Sequence, residues 1–217
     1  YPLRRQRQMC IRDRLDAVPV HVPVKRENYH PDFNNLEAAV TSKTKAIILN
    51  SPNNPTGAVY TPEEVAKIVA FAIKHDLWII DDMIYATLVW SDHPYTSPCT
   101  IPGGAERTIT IGGWSKGWAM TGWRLGWIAG PKVVMDGVKK INVSAATHVA
   151  TFMMPAATVA LTLENETAAM ASSFKARCEL IHELLSELPG VVVPKPEGAF
   201  YAFCDITGTG MTDIEFA

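Results

Sequence analysis

The 217-residue sequence has few cysteines, little net charge and no long apolar run. Its four cysteines are far apart and form no Cys-x-x-Cys pair, which argues against a disulfide framework and a zinc site. A formal net charge of -2 provides no attraction to nucleic acid or to an anionic membrane. No segment approaches the roughly 20 apolar residues of a membrane helix, and the first residues lack a signal peptide's apolar core. We therefore expect a cytoplasmic protein that binds neither nucleic acid nor membrane.

The composition that remains is typical of a globular protein. Hydrophobic residues make up 47% of the sequence and charged residues 19%, which is enough apolar material for a large core. The six histidines show no spacing typical of metal ligands. We therefore predict no metal site.

The first fourteen residues differ from the rest because they contain five arginines and show neither a helical nor a strand period. One interpretation is a basic arm for an acidic partner. The other, which we favour, is a disordered or artefactual end. We leave residues 1–14 out of the fold prediction.

Apolar runs and helical stripes alternate in the first half of the sequence. Residues 18–24 alternate like a strand whose prolines place it at a sheet edge or beside a turn. Residues 45–50 and 77–82 are apolar runs of the kind that form buried parallel strands. Between the two runs, Thr61-Pro62-Glu63-Glu64 has the pattern of a capped helix start. Residues 108–111 and 125–129 predict further strands. This order predicts a βαβ unit within a three-layer α/β/α domain whose sheet is mostly parallel.

The second half is predicted to be mostly helical. A helix over residues 167–188 carries an apolar seam, followed by strands at 191–193 and 198–203 and by a helix that opens after Met211. We predict a large domain over residues 15–165, then a linking helix and the start of a small α+β domain over residues 166–217. Because the chain ends inside a predicted element, we expect a fragment. The seam residues are Met170, Phe174, Cys178, Ile181, Leu185 and Leu188.

Three polar motifs follow predicted strands, where open α/β sheets bind ligands. The first is the Asn54-Pro55-Thr56-Gly57 loop, which alone also fits a plain turn. The second pairs Asp82 with Tyr85, which alone also fits a helix-capping aspartate and a core tyrosine. Strand alternation sends Asp81 and Asp82 to opposite faces, so we expect Asp81 to cap a helix or meet solvent.

The third motif runs from Gly112 to Gly126 and contains Ser115, Lys116 and Arg124. A lone lysine or arginine is most often a solvated surface charge. An amine in apolar surroundings, however, becomes nucleophilic enough to condense with a carbonyl. Residues 123–127 alternate like a strand, which predicts Trp123, Leu125 and Trp127 on one face and Arg124 with Gly126 on the other, where a ligand has room.

The third motif resembles the Ser-Lys-x-x-x-Met-Thr-Gly-Trp-Arg-x-Gly signature of class I aminotransferases, fold-type I enzymes that use pyridoxal 5'-phosphate. The Asn-Pro-Thr-Gly loop and the Asp-x-x-Tyr spacing are similar to that family in the same order, and the resemblance covers residues 18–217. It implies that Asn54 and Tyr85 bind the phenolic oxygen of the cofactor and that Asp82 holds its pyridine nitrogen.

The resemblance also implies roles for the residues of the third motif. Lys116 would form the Schiff base and move the substrate proton, while Arg124 and Ser115 would hold the phosphate. Some branches of the family have a phosphate-binding serine three residues before the lysine, where this sequence has Gly113. Ser115 or a backbone amide would then bind the phosphate in its place.

The activity implied is transfer of an amino group from an L-amino acid to a 2-oxo acid by a homodimer. A pyridoxal-phosphate-dependent carbon-sulfur lyase and the effector-sensing domain of a transcription regulator are the alternatives on the same fold. Residues 142–148 resemble a loop that approaches the partner subunit's cofactor. An amino-terminal phosphate contact and a substrate-carboxylate arginine are expected outside this sequence, so we expect the isolated chain to bind cofactor weakly at best.

Overall fold

The computed structural model describes residues 15–217, so the prediction for residues 1–14 lies outside the described part of the chain. Four strands and six α-helices are described between these limits, together with three short 3₁₀ segments. The strands are β1 (Ala46–Asn50), β2 (Trp78–Asp82), β3 (Thr108–Gly113) and β4 (Gly126–Ala129). The helices are α1 (Phe33–Ala39), α2 (Pro62–Lys74), α3 (Lys132–Ala145), α4 (Met153–Ala160), α5 (Glu164–Ser186) and α6 (Asp213–Phe216).

The predicted βαβ unit is confirmed. Strands β1 and β2 pair in parallel, and α2 connects them. The Thr61 side chain accepts a hydrogen bond from Glu64 N while the Glu64 carboxylate accepts one from Thr61 N, so the predicted capping box begins α2. Burial of an apolar stripe then fixes the helix on the sheet. The main core lies between them and contains Leu49, Val65, Ile68, Val69, Ala72, Leu77 and Ile79.

The sheet has the order β1-β2-β3-β4, in which the first three strands are parallel and β4 is antiparallel to β3. The protein therefore has the predicted α/β class with a mostly parallel sheet. The two faces of this sheet are covered unequally. Leu49 and Ile79 face α2 and are buried, whereas Ile48 points to the opposite face and is 73% exposed.

The strand predicted over residues 123–127 is wrong in its first half. Residues Thr121–Trp123 form a 3₁₀ turn, and Arg124 has left-handed backbone angles, with φ 54 and ψ 39. A left-handed residue interrupts strand alternation, so the shared face predicted for Trp123, Leu125 and Trp127 does not form. Leu125 is buried, while both tryptophans are about two-fifths exposed, at 40% and 39%. Strand β4 begins only at Gly126.

The long helix predicted over residues 167–188 is observed as α5, and the helix that opens after Met211 is observed as α6, with Thr212 as its cap. Within α5 the predicted seam is buried at Cys178 but 41% exposed at Ile181, and Leu188, beyond the end of the helix, is 43% exposed. None of the helices between residues 15 and 217 is long and apolar enough to cross a membrane.

Three further strand predictions are wrong. Residues 18–24 form no strand in the described part of the chain, and Pro19 and Pro23 reduce the number of N–H groups that could pair there. Residues 191–193 and 198–203 contribute only single bridges, Val192 with Asp205 and Gly198 with Val89. The apolar patterns there reflect burial in irregular chain, since Val191, Val193 and Ala199 are buried. The division into a large domain and the start of a small domain stays a prediction.

Candidate active site

The candidate site forms where β1 and β2 end side by side. Asn50, the last residue of β1, donates from its side-chain amide to the Asp82 carbonyl oxygen at 3.0 Å. Its side-chain oxygen accepts from Asn54 N at 2.8 Å. One amide therefore ties the loop after β1 to the end of β2. We did not predict this role for Asn50, although a polar residue that ends an apolar strand was a signal for it.

Asn54 and Tyr85, which come from separate motifs, lie next to each other. Asn54 Nδ2 donates to the Tyr85 hydroxyl at 3.4 Å. Tyr85 is 1% exposed, so packing holds its ring in place. The Tyr85 hydroxyl is also 2.6 Å from the hydroxyl of Tyr201. A tyrosine hydroxyl and an amide N–H on one spot are two donors suited to a single anionic oxygen.

Asp82 and Asp81 point to opposite faces of the sheet, as predicted. Asp82 is partly buried at the carboxyl end of β2, and its Oδ1 atom accepts from Ile84 N at 3.3 Å. This contact turns the chain after the strand toward Tyr85. Asp82 therefore lies at the strand end that Asn50 connects to the Asn54 loop.

The environment predicted for Asp81 is wrong, because it neither caps a helix nor meets solvent. Its side chain is 0% exposed and accepts hydrogen bonds from Tyr95 Oη at 2.6 Å and Ser97 Oγ at 3.2 Å. Its Oδ1 atom has no hydrogen-bond partner within the described residues. Burial raises the pKa of Asp81 to about 6, against the opposing effect of the two hydroxyl donors. Two hydroxyl-bearing residues in the following loop made this burial possible.

Lys116 enters the site from the loop between β3 and β4. Its Nζ atom lies 5.5 Å from the ring centroid of Phe200 and 5.9 Å from that of Tyr85. The lysine is half-buried, so its amine is held by aromatic faces yet accessible. A Cβ atom on the next residue, Gly117, would overlap the Thr87 hydroxyl, which shows how closely the loop packs on the chain after Tyr85.

Arg124 and Ser115 belong to the same loop but lie farther out. Arg124 is exposed, and its guanidinium donates to the Thr121 carbonyl at 3.1 Å. The Thr121 hydroxyl in turn donates to the Ser115 carbonyl at 2.9 Å. These contacts fold the loop back so that Arg124 and Ser115 flank one turn of chain. The structure thus gathers Asn54, Tyr85 and Lys116 directly and connects the other two through Thr121.

Two contributors were missed from the sequence. Tyr201 bonds the Tyr85 hydroxyl, and Phe200 supplies one of the rings beside Lys116. We interpreted their segment as a strand, whereas the chain there turns and packs on Tyr85 and Leu88. A pair of aromatic residues directly after a glycine and an alanine was the available signal.

Comparison with known proteins identifies the family of this fold and site. The family profile described as "Aminotransferase class I and II" matches residues 9–217. The chain is 40% identical to an aspartate aminotransferase of Pyrococcus abyssi over 92% of its length, and 41% identical to aromatic-amino-acid aminotransferase 2 of Thermococcus litoralis over 92% of its length. It covers 52% of each of these relatives, so the chain spans about half the length of the curated relatives it matches.

The fold agrees with solved structures in the same way. An aromatic aminotransferase from Pyrococcus horikoshii superimposes with a TM-score of 0.89 at 39% identity, over 92% of this chain and 54% of that one. An aspartate aminotransferase from Thermus thermophilus superimposes with a TM-score of 0.80 at 34% identity, over 88% of this chain and 50% of that one. The sequence match, the fold and the arrangement of the three motifs agree, and the chain belongs to the class I and II aminotransferase family.

Proposed function

We propose that the protein carrying this chain is a pyridoxal-phosphate-dependent aminotransferase that moves an amino group from an L-amino acid to a 2-oxo acid. Members of the family use pyridoxal 5'-phosphate. The observation that carries the proposal is the convergence of Lys116, Tyr85 and Asn54, which lie on three different segments of the chain. The three residues come from three separate sequence motifs, and all of them meet at Tyr85.

The side chains present fit the chemistry of this cofactor. Pyridoxal 5'-phosphate has an aldehyde, a phenolic oxygen, a pyridine nitrogen and a phosphate. The Lys116 amine suits the aldehyde, and the aligned Asn54 and Tyr85 donors suit the phenolic oxygen. The Asp82 carboxylate at the end of β2 suits the pyridine nitrogen. The remaining cation and hydroxyl, on Arg124 and Ser115, suit the phosphate.

Each residue would have a defined task in the reaction. When bound, the cofactor supplies a sink for the electrons of the broken substrate Cα–H bond. Lys116 Nζ would bond the cofactor and carry the proton that leaves the substrate Cα. The Asp82 carboxylate would keep the pyridine nitrogen protonated. Asn54 and Tyr85 would donate to the phenolic oxygen, and Arg124 would bind the phosphate.

The proposals for the substrates and for the oligomeric state rest on the names of relatives and on one loop. Aspartate and aromatic amino acids are the first donors to examine, because relatives that are about 40% identical carry those names. We propose a homodimer, supported by the resemblance of residues 142–148 to a loop that approaches a partner's cofactor; these residues are exposed. Scattered cysteines support a cytoplasmic location.

The first experiment traps the cofactor on its lysine. The full-length protein is incubated with pyridoxal 5'-phosphate, reduced with borohydride and digested, and the labelled peptide is sequenced. We expect the label on Lys116 and none in a Lys116→Ala variant. A label on Lys132 or Lys139 instead would refute the assignment of the lysine.

The second measurement separates the reaction from its alternatives. The same protein receives a panel of amino acids with 2-oxoglutarate or pyruvate, and the products are quantified. Formation of a new amino acid and a new 2-oxo acid without ammonia supports transfer. Release of ammonia with a cleaved carbon-sulfur bond identifies a lyase, and binding without turnover points to an effector domain.

A further inference from the structure

His30 is a buried histidine placed between two carboxylates. It is 5% exposed, its Nδ1 atom lies 2.7 Å from Glu64 Oε2, and its Nε2 atom lies 3.2 Å from Glu197 Oε2. A neutral imidazole has one N–H group, so it can donate to only one of the two glutamates. Both contacts are hydrogen bonds only when the ring is an imidazolium.

The two glutamates are held in place by backbone N–H groups. Glu64 Oε2 also accepts from Thr61 N at 3.0 Å, within the capping box of α2. Glu197 Oε2 also accepts from Val59 N at 2.9 Å. Neither carboxylate can turn away from His30 without losing a backbone hydrogen bond. The site between them is therefore built to hold a cation.

Glu197 stands where two parts of the candidate active site meet. Its N–H group and that of the following glycine both donate to the Gly57 carbonyl at 2.9 Å, which attaches it to the loop that carries Asn54. Four residues farther along the chain, Tyr201 meets the Tyr85 hydroxyl at 2.6 Å. A movement of Glu197 would therefore displace both the Asn54 loop and the Tyr201 hydroxyl.

We propose that His30, bonded as an imidazolium to Glu64 and Glu197, is a positioning residue for the aminotransferase site. It acts through Glu197 on the Asn54 loop and on Tyr201, and it contacts neither substrate nor cofactor. His30, Glu64 and Glu197 form what we call the carboxylate clamp. The effect of the clamp on catalysis depends on the proposed function, whereas its effect on the fold does not.

The other titratable groups near the carboxylate clamp do not replace His30 as the hydrogen-bond partner of Glu64 and Glu197. The Tyr60 ring lies 5.9 Å from the His30 ring, and burial raises its pKa to about 12, so it is neutral. His93 is close enough to Glu197 to help lower the pKa of that carboxyl. The Asp32 carboxylate, on the same segment as His30, accepts hydrogen bonds from Asn34 N and Asn35 N.

The pKa directions agree with a charged clamp. The hydrogen bond to Glu197 raises the pKa of His30 above 6.5, with burial opposing it and Glu64 supporting it. Burial tends to raise the pKa of Glu197, but hydrogen bonds from His30 and Val59 N outweigh it and lower that pKa. Since the folded pKa of His30 is raised, its stabilisation is complete below pH 6.5 and is lost as pH rises through the raised value.

The test uses the full-length protein with histidines labelled for NMR. We expect His30 to titrate above 6.5 and Glu197→Gln to lower its pKa. The side-chain amide resonances of Asn54 should follow the same titration in the wild type and lose it in His30→Gln. The advantage of the wild type over His30→Gln in urea midpoint should shrink as pH rises.

The catalytic measurement is the pH profile of kcat/KM. We expect His30→Gln to lower kcat/KM several-fold on the acid side and to remove one ionisation from the profile. His75→Gln is the matched control, because His75 contacts Glu37 at the opposite end of α2, with Nε2 and Oε2 3.1 Å apart. That variant should keep the wild-type profile.

Three results would overturn the proposal. The first is a His30 pKa at or below 6.5. The second is an Asn54 side-chain resonance that does not change as His30 titrates. The third is a pH profile of kcat/KM for His30→Gln that superimposes on that of the wild type. If the protein transfers no amino group, the proposed function fails, and the NMR and unfolding measurements still decide whether the clamp positions the Asn54 loop.

Discussion

The environment of a side chain at the end of a strand depends on which face of the sheet it points to. Asp81 and Asp82 are adjacent in sequence, yet Asp81 is fully buried and bonded to Tyr95 while Asp82 is only partly buried at the carboxyl end of β2. Alternation along the strand was enough to predict that the two would separate. The burial of Asp81 was not predictable, because it depends on where the loop after β2 places the Tyr95 hydroxyl.

The Asp82→Asn substitution should abolish most of the transamination while Asp81→Asn should not. An amide in place of Asp82 removes the negative charge beside the pyridine nitrogen, for which we expect kcat to fall about 10²- to 10³-fold. The matched Asp81→Asn change keeps an acceptor for Tyr95 and lies on the other face of the sheet. Steady-state kinetics of both variants of the full-length protein provide the measurement.

The opposite ranking would contradict this assignment. If Asp81→Asn is the crippling change and Asp82→Asn is mild, the register of β2 differs from the one described. Far-ultraviolet circular dichroism should accompany the kinetics, so that a variant that fails to fold is not mistaken for an inactive one.

Contacts between residues that are far apart in the chain could not be predicted from the sequence. Asn54, Tyr85 and Lys116 could be proposed because each belongs to a motif with its own spacing. The roles of Tyr201 and His30 could not be proposed in this way. Tyr201 contacts Tyr85, 116 residues away in the chain, and His30 contacts Glu197, 167 residues away. No local pattern contains that information.

Elements with strong local signals were the ones predicted correctly. The capping box fixed the start of α2, and continuous apolar runs located β1 and β2. The failures, at residues 18–24 and 198–203, are segments that have strand-like patterns but form no strand among the described residues. A strand needs a partner strand to exist, and its own sequence does not say whether one is present.

The loop between β3 and β4 depends on glycine at residue 117. Gly117→Ala should place a methyl group on the Thr87 hydroxyl, push the loop outward and displace Lys116. We expect a loss of about 1 to 3 kcal/mol in stability, as in other overpacked sites, and a lower cofactor affinity. Urea unfolding and cofactor titration of the full-length protein measure the two effects.

Gly122→Ala, in the same loop, is the control. Nothing lies within 4 Å of a Cβ atom at Gly122, so this change should leave stability within about 0.5 kcal/mol. Adding Thr87→Ala to Gly117→Ala should recover part of the loss. Equal behaviour of the two glycine variants would show that the contact with Thr87 does not hold the loop.

Within the described residues, the two faces of the sheet are covered unequally. Helix α2 covers the side of Leu49 and Ile79, while Ile48 on the other side is 73% exposed. Open apolar surface on a sheet promotes association. The covered face was predictable from the amphipathic stripe of α2. Exposed apolar sheet surface was also expected, but not which residue would carry it, because an apolar strand residue has the same sequence signal whether or not a layer covers it.

We expect the isolated 217-residue chain to self-associate through this face. Ile48→Thr keeps a β-branched residue in the strand and should lower the mass-average molecular weight measured by light scattering at a fixed concentration. Val18→Thr, at a residue that is 84% exposed but outside the sheet, should not. Equal effects of the two substitutions would mean that general surface hydrophobicity, and not the sheet face, drives association.

The contact between Tyr85 and Tyr201 has a consequence for the order of events during synthesis. Because 116 residues separate the two tyrosines, a ribosome adding about 5 to 20 residues per second needs roughly 6 to 23 seconds to deliver the second after the first. The βαβ unit precedes Tyr85 in the chain, and the lysine loop is added within that interval, so both are synthesised before Tyr201. The pocket around the Tyr85 hydroxyl therefore closes only after Tyr201 has been synthesised, and until then a chaperone or the cofactor would meet that hydroxyl without Tyr201 beside it.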